Sequence, residues 1–159
     1  SNIGITVSSD GYVTTPNIPI FSAYLNAQET NFVKGDWRTI PFDTLDFACS
    51  HYNTTNKEFT TPIAGKYQFN VFVRVDNIDT AADYYQLALN AGGTLYYGPI
   101  IDPGGFSTDL VYFHLAYPYV LNLGASTAVK VQIYQAQGSN QSDIQAGNNQ
   151  SKWSGYLIG

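Results

Sequence analysis

Several features are scarce or absent in this sequence of 159 residues. It has no methionine and one cysteine, Cys49, which excludes an internal disulfide and therefore a disulfide-framed secreted module. Charged residues make up 12% of the chain, and the net charge is −5, which argues against nucleic-acid binding because that needs a basic face. No apolar run approaches the roughly 20 residues that span a bilayer, and no signal peptide is recognisable. We therefore predict neither nucleic-acid binding nor membrane insertion.

The residues that are abundant point to a folded domain with a contact surface. Hydrophobic residues make up 44% of the chain, enough for the core of one domain. Aromatic residues reach 15%, with thirteen tyrosines among them, and the remaining polarity comes from Thr, Asn, Gln and Ser more than from charge. Tyrosine-rich, weakly charged surfaces are typical of adhesion or assembly.

Apolar residues alternate with polar ones along most of the chain. The odd-numbered residues of the segment 66–75 are Tyr67, Phe69, Val71, Val73 and Val75, and the segment 128–134 repeats the pattern. A period of two predicts strands, and no window of 11 or more residues shows a helical period.

Turn sequences separate the predicted strands, among them Asp10-Gly11 and the run 102–105. The segment 138–150 is rich in Ser, Asn, Gln and Gly, which predicts a polar loop. The run 109–115 is apolar on both sides, as in a central or interface strand, and Pro118 predicts a bulge or a switch of sheet. Many short strands predict an all-β protein, a sandwich or barrel of mostly antiparallel sheet.

The sequence offers no recognisable catalytic or cofactor-binding constellation. His51 and His114 are far apart, and neither has a companion at metal-ligand spacing. Nucleophile-elbow, phosphate-loop and Cys-x-x-Cys motifs are missing. Asp43 and Asp46 with Glu58 leave a glycosidase pair open, because the separation of carboxylates is a three-dimensional property. We predict no enzymatic activity, no cofactor and no metal site.

Three segments, in chain order, resemble the globular head of complement component one q and its tumour necrosis factor relatives. The first is Ile20-Phe21-Ser22-Ala23-Tyr24-Leu25, followed by Ile40-Pro41-Phe42-Asp43-Thr44-Leu45. The second is the run 59–69, Phe-Thr-Thr-Pro-Ile-Ala-Gly-Lys-Tyr-Gln-Phe, and the third is the ending Trp153-Ser154-Gly155-Tyr156-Leu157-Ile158. In 123–129, Leu-Gly-Ala-Ser-Thr-Ala-Val, the aspartate that the family has in this turn is missing.

The resemblance covers residues 20–159 and implies a jelly-roll sandwich of about ten antiparallel strands that assembles as a homotrimer. The polar side of the strand at 66–75 is expected to contact a neighbouring subunit, as are aromatic and small residues elsewhere. An ordinary solvated sheet face is the alternative. The candidates for the trimer interface are Tyr24, Gln68, Asn70, Phe72, His114, Ala116 and Trp153.

Residues 1–17 are similar to the short lead-in of such heads in phage and bacterial fibre proteins. We predict two regions, a β arm at 1–17 that enters from a shaft and a head domain at 18–159. The missing methionine predicts a processed or excised piece of a longer protein. We therefore expect the protein to be located in a virion tail fibre or in another extracellular position.

The main functional hypothesis is a non-enzymatic receptor-binding tip of a phage tail fibre or similar appendage, which binds a glycan or protein on the host surface. Exposed loops would carry the binding residues, since sugar faces stack on aromatic rings and hydroxyls pair with amides. The candidates are Trp37, Tyr96, Tyr97, Asp102 and Asn140.

Three alternatives stay open. A secreted lectin-like or cytokine-like head is one, and the glycosylation sequons at 53–55, 140–142 and 149–151 would suit it. A fibre-borne polysaccharide depolymerase is the second. The third is a structural cap that locks a fibre trimer in register.

Overall fold

The alternating segments fold into strands whose apolar sides face one another. The computed structural model describes residues 4–15 and 17–159, and this part of the chain contains strands, one turn of 3-10 helix at Pro103–Gly105 and no α-helix. The strands are β1 (Thr6–Val7), β2 (Val13–Thr14), β3 (Ile20–Tyr24), β4 (Arg38–Thr39), β5 (Thr44–Leu45), β6 (Tyr52–Asn53), β7 (Glu58–Thr60), β8 (Gly65–Ile78), β9 (Ala82–Ala91), β10 (Thr94–Ile101), β11 (Leu110–Leu123), β12 (Ala128–Gln137), β13 (Asp143–Ile144) and β14 (Lys152–Leu157).

Two antiparallel sheets form the sandwich. In the β8 sheet the strand order is β11-β8-β14-β3-β5, and β13 also pairs with β8. In the β12 sheet the order is β10-β9-β12-β7-β6, and β4 also pairs with β12. The predicted all-β, antiparallel architecture is confirmed, and the odd-numbered residues of 67–75 all lie in the core.

Aromatic rings fill the centre of the sandwich. Phe21 of β3 stacks on Phe59 of β7 with ring centroids 4.6 Å apart, and this pair joins the two sheets. Phe69 of β8 stacks on Trp153 of β14 at 6.0 Å. Each of these rings is fully buried, and aromatic side chains of this size carry much of the stabilisation of a core.

The rings of this core set the identity of Gly155. A Cβ atom at this position would lie 2.5 Å from the Phe69 ring and 2.8 Å from the Phe21 ring. Both rings therefore pack directly on the backbone of β14. The glycine of the closing Trp-Ser-Gly-Tyr sequence follows from this close approach.

Hydrogen bonds to Thr61 hold together the turn between β11 and β12. The hydroxyl of this fully buried residue donates to the Gly124 carbonyl at 2.7 Å and accepts the Thr127 amide at 2.8 Å. The Ser126 amide donates to the Thr61 carbonyl at 2.7 Å. The hydroxyl and carbonyl of Thr61 thus hold this turn, in which the aspartate of complement heads is missing.

The prediction of a bulge or sheet switch at Pro118 is wrong. β11 pairs with β8 in regular register, with Pro118 opposite Asn70. β11 is the edge strand of its sheet, so the proline, which has no N–H to donate, interrupts no ladder on its other side.

The N-terminal residues form a separate short hairpin. β1 and β2 pair only with each other, Thr6 opposite Thr14, and every side chain in them is exposed. Gly11 has φ +83°, which a turn here requires and glycine adopts without strain. Residues 1–3 and 16 of the predicted arm lie outside the described residues. The division into 1–17 and 18–159 stays a prediction.

Candidate functional site

The outward-facing side chains of the β8 sheet form a continuous surface, which we term the β8 face. Residues opposite each other in neighbouring antiparallel strands share a side of the sheet, so the register identifies its members. Across β11, β8, β14 and β3 they include Tyr112, His114, Ala116, Pro118, Val120, Asn122, Lys66, Gln68, Asn70, Phe72, Arg74, Asp76, Lys152, Ser154, Tyr156, Ile20, Ser22 and Tyr24.

All the predicted interface residues except Trp153 lie on the β8 face. Ala116 is opposite Phe72, and Lys152 links Phe72 to Tyr24 in the same row. The His114 ring stacks on the Phe72 ring with centroids 4.6 Å apart and an interplanar angle of 11°. The structure thus brings these residues together on one surface.

Trp153 is placed inside the sandwich, so its assignment to a subunit interface is wrong. It is opposite Val71 and Ala23, whose side chains face the core, and it is 0% exposed. Its Nε1 donates to the Tyr52 hydroxyl at 3.2 Å, and its ring meets Phe21 edge-on at 4.5 Å. A side chain with these contacts cannot reach another subunit. Burial also raises the pKa of Tyr52 far above its ordinary value.

Several apolar members of the β8 face were missed from the sequence. Val120 is 59% exposed, Tyr112 54%, Ile20 50% and Tyr156 41%. Val120 is opposite Gln68, and Gln68 is opposite Tyr156, which in turn is opposite Ile20. The register shows that these four residues belong to the same surface as Phe72. The sequence offered one signal for two of them, because Tyr112 and Val120 have the same even numbering as His114 in β11.

One cationic group at the end of the β8 face is held by three neighbours. The Arg74 Nε donates to Asp76 at 2.7 Å, and its Nη1 donates to Gln150 at 3.2 Å. The guanidinium carbon lies 4.3 Å from the centre of the Tyr112 ring, which adds a cation–π contact. Arg74 is therefore fixed in orientation before any partner binds.

A second ionic cluster joins β14 to the segment after β5. Lys152 forms a salt bridge with Asp46, which also accepts the Ser22 hydroxyl at 2.7 Å. Burial by itself would raise the pKa of Asp46, but the hydrogen bonds from Lys152 and Ser22 outweigh burial and hold that pKa below its ordinary value.

The outward face of the β12 sheet carries a row of rings, which we term the aromatic strip. Its members are Tyr97 of β10, Trp37 beside β4, Tyr134 of β12 and Tyr84 of β9. The Trp37 centroid is 5.8 Å from that of Tyr97 and 5.3 Å from that of Tyr134, and Tyr134 is 5.8 Å from Tyr84. The structure thus unites Trp37 and Tyr97 and adds two tyrosines that the sequence analysis missed.

The other predicted ligand-binding residues lie outside the strip. Tyr96 is opposite Leu89, on the other side of β10 from Tyr97. Asp102 caps the 3-10 turn, its carboxylate accepting the Gly104 amide at 2.8 Å. No hydrogen bond or ring contact among the described residues joins either of them to Trp37.

The polar segment 138–150 is only partly a loop. It contains β13, and its residues Ser142, Asp143 and Ile144 are buried. The backbone N–H of Asn140 donates to the buried Asp79 carboxylate at 2.6 Å. This segment is thus packed into the domain. Only its exposed side chains, among them Asn140, could contribute to ligand binding.

The candidate catalytic residues are dispersed. His114 stacks on Phe72, whereas exposed His51 lines a surface groove with the partly buried Cys49. In residues 4–15 and 17–159, no three His, Cys, Asp or Glu side chains are grouped so that they could hold a metal ion. No helix in the same residues is long and apolar enough to cross a membrane.

Comparisons with known proteins establish the fold. No protein-family model and no curated protein matches the sequence. Among solved structures, the globular domain of zebrafish complement 1qA superposes with a TM-score of 0.64 at 16% identity, covering 90% of this chain and 98% of that one. Murine APRIL superposes with a TM-score of 0.60 at 9% identity, covering 89% of this chain and 100% of that one. The chain therefore has the jelly-roll fold of the complement-head and tumour necrosis factor-like domains.

Proposed function

We propose that this chain is a non-enzymatic recognition head that assembles as a homotrimer and binds a target on a host surface, most specifically as the receptor-binding tip of a phage tail fibre or similar virion appendage. The fold and the sequence resemblance to complement heads support the assembly. The observation that carries the proposal is the β8 face, an outward sheet surface that exposes large apolar side chains, with Val120, Tyr156 and Ile20 in one row and Tyr112 towards its other end.

Physical chemistry favours a covered β8 face over a solvated one. Exposed apolar patches larger than a few hundred Å² mark interaction sites on soluble proteins. Tyr112 is 54% exposed and Tyr156 41%, so a contact would newly bury about half of a full aromatic side chain at each, on the order of 100 Å². At about 25 cal/mol per Å² this is about 2–3 kcal/mol for each ring before the entropy of association is subtracted. Phe72, already stacked on His114, provides a rigid centre for such a contact.

The N-terminal hairpin supports a position at the tip of a fibre. β1 and β2 project four exposed strand residues, and Ile5 and Tyr12 beside them are exposed as well. An isolated two-stranded hairpin is at best marginally stable in water. Three such arms meeting below a trimeric head would cover one another, as at the end of a shaft.

The alternative is a secreted lectin-like or cytokine-like head, which would occupy the same fold. The exposed Asn53 of the sequon 53–55 is the observation that favours it. Its side-chain oxygen accepts the amides of Thr55 and Asn56 at 2.8 and 3.0 Å, so the sequon lies in a tight surface turn. A glycan attached at Asn53 in protein from its native source would support this alternative.

Light scattering coupled to size-exclusion chromatography tests the assembly. We expect a particle of three times 17.5 kDa at micromolar concentration. A particle of 17.5 kDa under these conditions would overturn the trimeric head. Incubation with host capsule followed by an assay for new reducing ends tests the absence of depolymerase activity, and we expect none.

A further inference from the structure

The aromatic strip crosses the β12 sheet instead of following one strand. Tyr97 is opposite Ala88, and Tyr134 is opposite Gln86, so the rings come from strands on both sides of β9. Trp37 bridges them, with interplanar angles of 36° to Tyr97 and 42° to Tyr134. The strip is therefore a row of rings tilted against one another on the outer face of the sheet, not a buried cluster.

The residues beside the strip leave its rings accessible. Ala88 is on the outward side of β9 yet 0% exposed, and Gln132 beside it is 8% exposed. Tyr97 is opposite this alanine, so the β9 residue paired with it has a small side chain. Each ring of the strip has another ring of the strip as a neighbour. Tyr97 remains 61% exposed, and the other three rings remain partly exposed.

On β9 and β12 the surroundings of the strip are amide-rich and nearly uncharged, whereas the exposed Ile100 borders Gln86 from β10 and the exposed Asp36 precedes Trp37. Gln86 and Asn90 flank it on β9, and the Asn90 amide donates to the Gln132 side chain at 2.9 Å. Among the outward-facing residues of β9 and β12 there, Lys130 is the charged one. A surface of neighbouring rings bordered by amides matches a chain of neutral sugars, which offers C–H faces for stacking and hydroxyls for hydrogen bonds.

We propose that the aromatic strip is a binding platform for a neutral oligosaccharide. This inference rests on the proposed recognition function and names the ligand class. Trp37 and Tyr97 would stack on successive sugar rings, and Gln86 and Asn90 would bind hydroxyls from the side. The lack of charge disfavours acidic glycans, which the net charge of −5 would also repel. A protein partner would more typically be met by arginine among the aromatic residues, and the strip contains none.

A printed array that carries neutral and acidic oligosaccharides at equal density tests the platform. We expect the intact protein to bind neutral glycans more strongly than acidic ones. Trp37→Ala and Tyr97→Ala are each expected to weaken this binding by about tenfold or more, since a lost ring contact is worth about one decade in affinity. Tyr96→Ala is the matched control, because Tyr96 is the chain neighbour of Tyr97 on the other side of β10, and we expect less than about a twofold change.

Intrinsic fluorescence gives a second readout. Trp153 is buried in the core, so an emission change on adding the bound oligosaccharide should come from Trp37 and disappear in Trp37→Phe. Binding that survives both Trp37→Ala and Tyr97→Ala, or an array on which no neutral glycan is bound, would overturn the platform. The mass of the natural chain separates the two proposals: a trimer that binds no glycan refutes the platform alone, whereas a monomer refutes the trimeric head.

Discussion

The two outer faces of the sandwich differ in how their aromatic residues are arranged. On the β8 face the exposed apolar residues are spread out, with Tyr112 at one end beside Arg74 and with Val120 and Tyr156 in one row towards the other end. On the β12 face, Trp37 contacts the rings of Tyr97 and Tyr134, so the aromatic residues form one connected group. Apolar residues that are spread out suit burial against a large partner surface, whereas a connected group of rings can bind a small ligand without rearranging.

The contrast indicates a division of labour in one small domain. The β8 face has the apolar area that subunit assembly needs, together with Arg74 held in place by Asp76 and Gln150. On β9 and β12 the outward side of the β12 sheet has few charges, and its exposed aliphatic surface includes Ile100 of β10, opposite Gln86. We therefore expect assembly through the first face and recognition through the second, and the following predictions test the separation.

The largest expected effect is loss of assembly in Phe72→Asp. A carboxylate at the centre of the β8 face would lose its hydration in the trimer, and its neighbour Lys152 is already paired with Asp46, so its burial costs several kcal/mol per subunit. We expect the variant to elute as a folded species of 17.5 kDa by light scattering, where the natural chain gives three times that mass.

The matched control for this change is Gln86→Asp. Gln86 is likewise a partly buried, outward-facing residue on a long strand, but on the β12 sheet. The mass of the Gln86→Asp variant should equal that of the natural chain. If Phe72→Asp leaves the mass unchanged, Phe72 is not part of a subunit contact.

The next largest effect is on stability and differs between the two tryptophans, because one is in the core and the other is on the outer face. Trp153→Ala removes a fully buried side chain from the ring cluster and is expected to lower the free energy of unfolding by about 3–5 kcal/mol. Trp37→Ala, on the outer face, should cost about 1 kcal/mol, as a partly exposed residue does. Chemical denaturation followed by circular dichroism measures both, and similar losses for the two variants would contradict the placement of Trp153 in the core.

A smaller effect of opposite sign is expected at the edge strand β11. The Tyr119 hydroxyl is buried and has no hydrogen-bond partner among the described residues, and burial raises its pKa. Tyr119→Phe removes this unsatisfied group and should raise the free energy of unfolding by about 1 kcal/mol. Tyr117→Phe, whose side chain is 42% exposed, should change it by less than about 0.5 kcal/mol. A loss of stability in Tyr119→Phe would show that the hydroxyl has a partner.

The smallest expected effect is the acid sensitivity of the Asp46 cluster on the β8 sheet. The pKa of Asp46 is lowered in the folded chain, so its contribution is fully present above the ordinary value of 3.8 and is lost as the pH falls through the folded pKa. Asp46→Asn should therefore lower stability by about 0.5 kcal/mol near neutral pH, since the ion pair is partly exposed. Denaturation of both proteins across the acid range should show this difference shrinking below 3.8; a difference that grows on acidification would contradict the assigned pKa direction.

Periodicity was sufficient to predict the main strands and their buried sides. The odd-numbered residues of 67–75 face the core because alternation in a strand maps directly onto the two sides of a sheet. The same argument places Gln68, Asn70 and Phe72 on one outer surface, as the register confirms. The local sequence pattern was sufficient to predict the two sides of a strand where one side is solvated and the other is buried.

Local pattern failed where pairing partners decide the outcome. Trp153 was assigned to the interface because the residues around it in the sequence do not show which side of β14 faces the core. Only its register with Val71 places it in the core. The polar segment 138–150 contains buried β13 because Asp143 is satisfied there by the side chains of Gln28 and Asn77 and the backbone N–H of Asn31. These partners are remote in sequence and meet only in the folded chain.

The sequence by itself determined the all-β class and the buried side of β8, because alternation is a property of a few neighbouring residues. The resemblance to complement heads likewise came from short motifs. The tertiary structure alone decided that Trp37, Tyr97, Tyr134 and Tyr84 form one strip, and that Val120, Tyr156 and Ile20 stand in one row. The physical reason is register: which residues stand side by side on a sheet depends on how distant strands pair, and pairing is settled by the packing of the whole core.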